Sequence, residues 1–532
     1  MTNIEHLTSE VVIVGGGPVG LGLAIDLAQR GVQSIVIEKY PEVHRVPKGQ
    51  NMTQRTGEHF KAWHCQPEIR AATPIPRDFG IAGMMSYNNL LSGYHYDWLK
   101  RSDVREYYAA DNERLPQFET ERVLRARAAE LDQIAFFYGW EAKDVSQTTY
   151  GATVSIVERE SGKQAEATAS YVVGCDGSHS LIRQAAQIEQ DVDPHDKRMA
   201  LLVFKSKELH QLLERYPGKS YFNAVRPGLD GYWLFLGRVD LGETWFFHAP
   251  VPADTTKDNF DFDGYLHDAI GAEFSIEYEY IGFWDLRIAN ATNYRKGRVL
   301  IAGDAAHSHP PYGGYGINLG FEDARNLAWK LTAELRGWAG SKLLESYSNE
   351  RQPVFASTAK DFITRFIIED RDFVDTYSPE KNLAEFEAAW RQRFAQSNDD
   401  VQGFEPNYEG SEIVFGETDA TCSAVGRHEH RARAGHHLSP QPLDSGDSVY
   451  DVLDDGFALL TTKQGADAPV KFQAAAESLG IPFKGIDNLS ARAREQYQCD
   501  AVLVRPDHFV SWAGNPDERS PEDILRHAIG NA

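Results

Sequence analysis

The apolar positions of this chain change rhythm along its length, and each rhythm predicts a different kind of element. An unbroken apolar run at residues 11–14 enters a glycine turn, after which Leu21, Ala24, Ile25 and Ala28 recur at the spacing of one helix face. Gly31 stops that helix, and a second apolar run at 34–37 ends on Glu38. Strand, turn, helix and strand together predict a complete βαβ unit over residues 11–39. Residues 119–133 read as an amphipathic helix, and 168–174 as a strand running into the tripeptide CDG. From about 200 to 290 the texture turns aromatic and turn-rich, as in YFNAVRPGLDGYWLFLGRVD and ETWFFHAP, which predicts a mainly antiparallel sheet.

The α/β pattern resumes at GRVLIAGDAAH, residues 297–307, so the sheet is inserted into the first domain rather than appended to it. Residues 320–400 are helical by pattern, and beyond about 425 a loop rich in histidine and arginine leads into strand, helix and strand. The expected organisation is an α/β chain of three units. A nucleotide-binding domain spans 1–185 and 286–400, the latter part a helical extension; an inserted substrate-binding sheet spans 186–285; a small α/β unit spans 401–532.

Composition narrows the function classes. At 532 residues the chain exceeds the size at which one hydrophobic core stops growing. A formal net charge of −24, from 54 basic and 78 acidic residues, repels nucleic acid and anionic membranes. Any anionic nicotinamide cofactor would therefore need a local basic lining. The four cysteines show neither CxxC nor metal-ligand spacing. The first ten residues lack the pattern of a secretory signal, and no run reaches the length of a spanning helix. These features lead us to expect a cytoplasmic protein without nucleic-acid or membrane partners.

Gly15, Gly17 and Gly20 form GxGxxG between the first strand and helix. The first permits a tight turn, the second lets backbone N–H groups approach a pyrophosphate, and the third allows close packing of helix on strand. Pro18 and Val19 belong to the same turn, and Glu38 is placed to accept hydrogen bonds from an adenosine ribose. FAD and NAD both present that moiety, so the turn alone leaves the choice open. Two distant segments favour FAD. In VVGCDGSHSLIR (172–183) a strand delivers Asp176 and Gly177, followed by Ser180 and Arg183. In GRVLIAGDAAHSHPPYGGYGINLGFEDARNLAWKL (297–331) a strand delivers Gly303 and Asp304 into a proline–glycine loop that opens a helix. Asp304 suits a ribityl hydroxyl. Pro311, Gly314, Gly316, Ile317 and Asn318 lie in the stretch that can bring backbone against a flat ring.

The three segments together resemble the group A flavoprotein monooxygenases, the family of 4-hydroxybenzoate and phenol hydroxylases, over about residues 10–360. VPKGQNMTQRTGEHF resembles that family's segment along the flavin, with Lys48 where an Arg is usual and Arg55 in its place. LPQFETERVLRA resembles its glutamine-plus-helix segment and sets Gln117 near the ribityl chain, and WDLRIANATNYRKGRVLIAGD carries Arg287, Tyr294 and Arg298. The last hundred residues resemble the thioredoxin-like extension of the phenol hydroxylase branch; without CxxC a structural or dimer-supporting role is the better reading.

The resemblance implies a Rossmann-like FAD domain, NADPH or NADH as electron donor without a second GxGxxG, and O2 adding at flavin C4a to give a hydroperoxide that hydroxylates a small phenolic or heteroaromatic compound. It also implies a homodimer. Arg45, Lys48, Arg183 and Arg287 are the basic candidates for the donor. The inserted sheet offers Tyr221, Tyr232, Trp233, Trp245, His248, Trp284 and Asp285 as pocket residues, with His248 and Tyr221 as polar handles for a phenol and Arg287 as a further catalytic candidate. His428, His430, His436 and His437 read as a linker rather than a metal site, and no metal is expected. His307 reads as structural. Rival readings are a flavin reductase or dehydrogenase, or a Baeyer–Villiger-type oxygenase, acting on a polyketide or isoprenoid; a non-catalytic flavoprotein sensor is the rival of another class.

Overall fold

The computed structural model describes residues 5–76, 79, 83–417, 419–462 and 467–531. Its first sheet has a parallel centre in the order Val299–Ile301, Gln164–Gly174, Glu5–Val14, Ser34–Glu38 and Ile134–Tyr138. Strands covered on both faces need continuous apolar side chains, and residues 11–14 and 35–37 are buried accordingly. Four strands end level with one another. Cys175 N donates to Val14 O at 2.7 Å, Ala302 N to Gly174 O at 3.0 Å, and Gly15 N to Ile37 O at 2.8 Å. The register therefore gathers the glycine turn, the DG turn and the GD loop at one carboxyl edge, where open α/β sheets bind ligands.

The second sheet runs in the order His307–Ser308, Glu277–Ala291, Gln190–Lys205, Thr244–Pro252, Trp233–Arg238, Tyr221–Val225, Gly83–Tyr87 and His95–Trp98. All neighbours are antiparallel except Tyr221–Val225 beside Gly83–Tyr87. This sheet outgrows the expected limits of 186–285, because it recruits 83–98, runs on to Ala291 and takes in 307–308. The short segment GMMSY has every position buried and so shows no alternation that would mark a strand. The helical extension departs from expectation too. Phe355, Phe362, Phe373, Phe386 and Trp390 share a core with Tyr87, Phe222 and Trp233, so they pack on the second sheet rather than on the nucleotide domain.

The long helix Tyr315–Arg336 ties the units together, with nearly all its faces buried. Gly314 (φ +70°) caps its start and Gly337 (φ +77°) its end, both left-handed positions that suit glycine. The C-terminal sheet has the order Phe483–Ile486, Phe457–Thr461, Ala501–Val504 and Val510–Gly514; the first pair is parallel across the helix Ala468–Leu479, and the others are antiparallel. Trp329 of the long helix joins the core of this unit beside Phe457, Phe472 and Trp512. No helix among the described residues is long and apolar enough to cross a membrane. The four cysteines are unbridged, and burial pushes the Cys65 and Cys422 thiols up to about 12, out of the reactive range.

Candidate flavin and substrate site

Gly15 adopts φ +109°, and a Cβ there would collide with the Cys175 carbonyl; one on Gly20 would collide with Gly15 O. Gly17 caps the helix Pro18–Gln29 with no side-chain cap bond, and nothing lies within 4 Å of where its Cβ would stand. The first-turn N–H groups of that helix therefore face an open cradle of the shape a diphosphate needs, with Pro18 costing no hydrogen bond in that turn. Glu38 closes one side. Its Oε2 accepts from Gly16 N at 2.7 Å and its Oε1 from Tyr40 N at 2.9 Å, which fixes the carboxylate at the turn. Val19 acts as a spacer, since a Cβ on Gly303 or on Gly320 would stand 2.9 or 2.6 Å from its Cγ2.

At the DG turn, Asp176 accepts from Ser180 Oγ at 2.5 Å and from Ile182 N at 3.2 Å, while burial raises its pKa. Arg183 donates to Ala305 O at 2.8 Å, and both Arg183 and Arg287 reach Ser178 O. These two arginines thus meet at one carbonyl. Arg45 lies over Phe118 at 5.5 Å, Lys48 is exposed at the cleft, and Arg298 donates to Thr149 O on the far side of the sheet. Arg55 is fully committed to Glu322, Glu58 and Asp507 O.

Asp304 lies deep in the fold yet its side chain is exposed to the cleft. Burial raises its pKa, and His307 and Lys48 pull it back. Behind it stands a group the sequence reading missed. Asp323 accepts from Gly303 N at 2.9 Å, from His307 Nε2 at 2.7 Å and from Arg351 Nε at 2.7 Å, all fully buried. His307 and Arg351 hold its carboxyl below the usual range against desolvation. His307 is thus a structural partner. The only local sign of Asp323 was an acid–base run, EDARN, inside a helix that is buried on nearly every side.

Gly313 and Gly314, both at positive φ, turn the loop into the long helix. Asn318 then binds two backbones at once: its amide donates to Asn51 O at 2.8 Å and Gly314 O at 2.5 Å, and its oxygen accepts from Thr53 N at 2.9 Å. Ile317 packs on Gly49, whose N–H donates to Gln117 Oε1 at 3.2 Å. Pro311, Gly314, Gly316 and Ile317 remain partly exposed along the cleft. A cradle without side chains, a carboxylate at each end and a helix N-terminus facing the gap all fit FAD.

Opposite this loop, alternate residues of the second sheet present an aromatic face. Phe235 touches Tyr221 (6.1 Å between centroids), Phe246 (5.1 Å) and His248 (5.7 Å), and His248 meets Trp284 at 4.9 Å. Burial drives the His248 pKa down to about 3 and the Tyr221 pKa up to about 12. Trp233 shares this face, two residues from Phe235 on its strand and across from Val225, and packs on Tyr312 of the loop. Trp245 points to the opposite side and donates to Ser206 O, and Asp285 faces His179 at the surface. Tyr232 stacks beside Trp233. The four linker histidines go to separate partners: His428 to Tyr108, His430 to Glu106, His436 to Glu405 and Glu409, and His437 to Glu58.

Residues 8–361 match the family model described as FAD binding domain, and 431–532 match aromatic-ring hydroxylase, C-terminal. The chain belongs to the FAD-dependent aromatic-ring hydroxylases. It is similar to a putative polyketide hydroxylase of Streptomyces halstedii, at 32% identity over 98% of this chain and 96% of that one. It is also similar to 4-methyl-5-nitrocatechol 5-monooxygenase of Burkholderia sp, at 28% identity over 98% and 96%. Among solved structures, that of RebC soaked with chromopyrrolic acid and holding 7-carboxy-K252c superposes with a TM-score of 0.84 at 26% identity, covering 99% of this chain and all of the other. The hydroxylase is thus an FAD-dependent monooxygenase. The reductase, Baeyer–Villiger and sensor readings find no support in these likenesses.

Proposed function

We propose that this monooxygenase hydroxylates an electron-rich aromatic ring, phenolic or heteroaromatic, using NADH or NADPH as electron source and O2 as co-substrate. One observation carries the reading: Tyr312, in the loop between Asp304 and the long helix, packs on Trp233 of an aromatic sheet face whose Tyr221 hydroxyl and His248 Nδ1 have no hydrogen-bond partner among the described residues. Bound FAD supplies the reduction of O2 and the transfer of one oxygen atom. The protein's part is binding and orientation. The helix N-terminus at Gly17 and Glu38 hold the ADP end, Asp304 and Gln117 suit the ribityl hydroxyls, and the N–H groups behind Gly314 favour negative charge on a reduced ring.

The aromatic face orients the substrate and keeps water out. A histidine held near pKa 3 stays neutral at pH 7, so His248 accepts a hydrogen bond from a ring hydroxyl without itself carrying charge. Arg183 and Arg287, meeting at Ser178, form the basic corner where we place the nicotinamide donor. The strand order and mixed directions of the C-terminal unit support a thioredoxin-like reading, and its two cysteines, Cys422 and Cys499, are unbridged and lack the CxxC spacing of a working dithiol.

The test is a panel of phenols, hydroxypyridines and aminobenzoates. At least one is expected to accelerate NAD(P)H oxidation and to leave with one oxygen-18 atom from labelled O2. Accelerated oxidation that yields only peroxide across the panel, with no label in any product, counts against the reading.

A further inference from the structure

The aromatic face and the segment opposite it hold six buried polar atoms without a hydrogen-bond partner among the described residues: Tyr221 Oη, Asn223 Oδ1, His248 Nδ1, Gln50 Nε2, Arg101 Nε and Arg114 Nε. Every one of these residues is at most 7% exposed. They are also contiguous. The Arg114 guanidinium lies over the Tyr221 ring at 5.3 Å and the Phe246 ring at 5.9 Å, and Asn223 sits across from Phe235 in the sheet. Native interiors leave few such atoms unbonded, and a cluster of them points to a ligand.

Arg114 stands out among the buried cations. Arg55, Arg325, Arg351 and Arg505 each pair with a buried carboxylate. Arg114 has only neutral oxygens: Asn51 Oδ1 at 2.9 Å, Arg238 O at 2.9 Å and Gln50 Oε1 at 3.5 Å. Burial and the nearby Arg238 weaken its hold on the proton, bringing it down to about 10. Arg101, on the same side, donates to Gly313 O at 2.6 Å and has no ion-pair partner among the described residues. A buried guanidinium without a counter-ion is costly. An anionic ligand removes that cost on binding, while a neutral one leaves it in place.

We propose that Arg114 reads an oxyanion on the substrate, so that the preferred substrate is an aromatic acid bearing a carboxylate or an acidic phenolate. The assignment rests on the hydroxylase reading above and deepens it. Phe235 and Phe246 supply the apolar walls for the ring, and the Tyr221 hydroxyl and His248 Nδ1 are left to orient its other polar groups. The unpartnered Arg114 Nε–H gives an oxyanion a charge-assisted bond that an amide of the same shape cannot match.

The test titrates the FAD-loaded full chain with paired probes and reads ligand binding from the flavin absorbance, independent of turnover. Benzoate, hydroxybenzoates and hydroxynaphthoates are set against the corresponding carboxamides, and 4-nitrophenol against 4-nitroanisole, which separates the carboxylate from the phenolate source. For at least one pair the anion is expected to bind about 10–100-fold more tightly, the worth of one charge-assisted hydrogen bond. Arg114→Gln is expected to bring that ratio to within about threefold. The assignment is overturned if no anion is preferred in any pair, or if the preference survives in Arg114→Gln. Should that variant lose its FAD, Arg114→Lys decides: a smaller preference supports the assignment, and an unchanged one overturns it. An anion held through Arg114 but never labelled by O2 defeats the hydroxylase reading and leaves the assignment standing.

Discussion

At the scale of the residue, Asp323 carries more of the site than any side chain that touches the cleft. It fixes the Gly303 N–H, and so the direction in which Asp304 points, while balancing Arg351 and orienting His307. Replacing it by alanine leaves the buried Arg351 without its counter-ion, with only Tyr408 Oη and Leu319 O to receive it, and the buried Gly303 N–H without a partner. Asp323→Ala is expected to lose about 3–5 kcal/mol of stability together with most of its FAD, with Asp323→Asn falling between; urea melts and the flavin-to-protein absorbance ratio check both. Gly15, Gly17, Gly20, Glu38 and Asp304 were legible in the sequence because their work depends on backbone shape and near neighbours. Asp323, Arg351, Arg101 and Arg114 were not, because their partners come from distant stretches. Arg101, for one, meets Gly313 only after the chain has crossed both sheets.

At the scale of the element, the long helix Tyr315–Arg336 sets the distance between the glycine turn and the GD loop. Gly320 lets it approach Val19, and a Cβ there would stand 2.6 Å from Val19 Cγ2 and 3.4 Å from Gly303 Cα. Gly320→Val should therefore push the helix off the turn. We expect a loss of about 1–3 kcal/mol, the usual cost of overpacking, and weaker FAD retention, seen by thermal melting and by flavin release on gel filtration. The βαβ unit and the inserted sheet could be read from periodicity, since each has a rhythm of its own. Gly83–Tyr87 could not. Covered on both faces and only five residues long, it carries no alternation to betray it.

At the scale of the whole molecule, the C-terminal unit grips the long helix and its neighbour through charge. Arg505 donates to both oxygens of Glu350 at 2.7 and 2.9 Å, and Arg325 reaches Pro506 O at 2.8 Å. Glu350 also holds Lys330, and the cations keep its carboxyl far below the ordinary range. A second clasp, within the C-terminal unit itself, is pH-sensitive. His436, buried between Glu405 and Glu409 with Arg433 opposing, has its pKa raised above 6.5 by those carboxylates, against desolvation. A histidine raised on folding stabilises fully below its unfolded pKa, and that contribution is lost as pH rises through the folded value. The gap in Tm between wild type and His436→Gln should therefore be widest near pH 6 and shrink toward pH 9. A gap that stays constant over that range refutes the clasp.

The interlacing of the two sheets has a consequence for how the protein is made. The nucleotide sheet waits for Val299–Ile301 and the aromatic sheet for His307–Ser308, so a nascent chain must hold both unfinished until the same moment of synthesis. At about 5–20 residues per second, the Trp- and Phe-rich strands spend many seconds outside the ribosome with their edges unpaired. Neither sheet can be had by expressing its domain alone. Lower growth temperature and added chaperone supply should accordingly raise the yield of active protein.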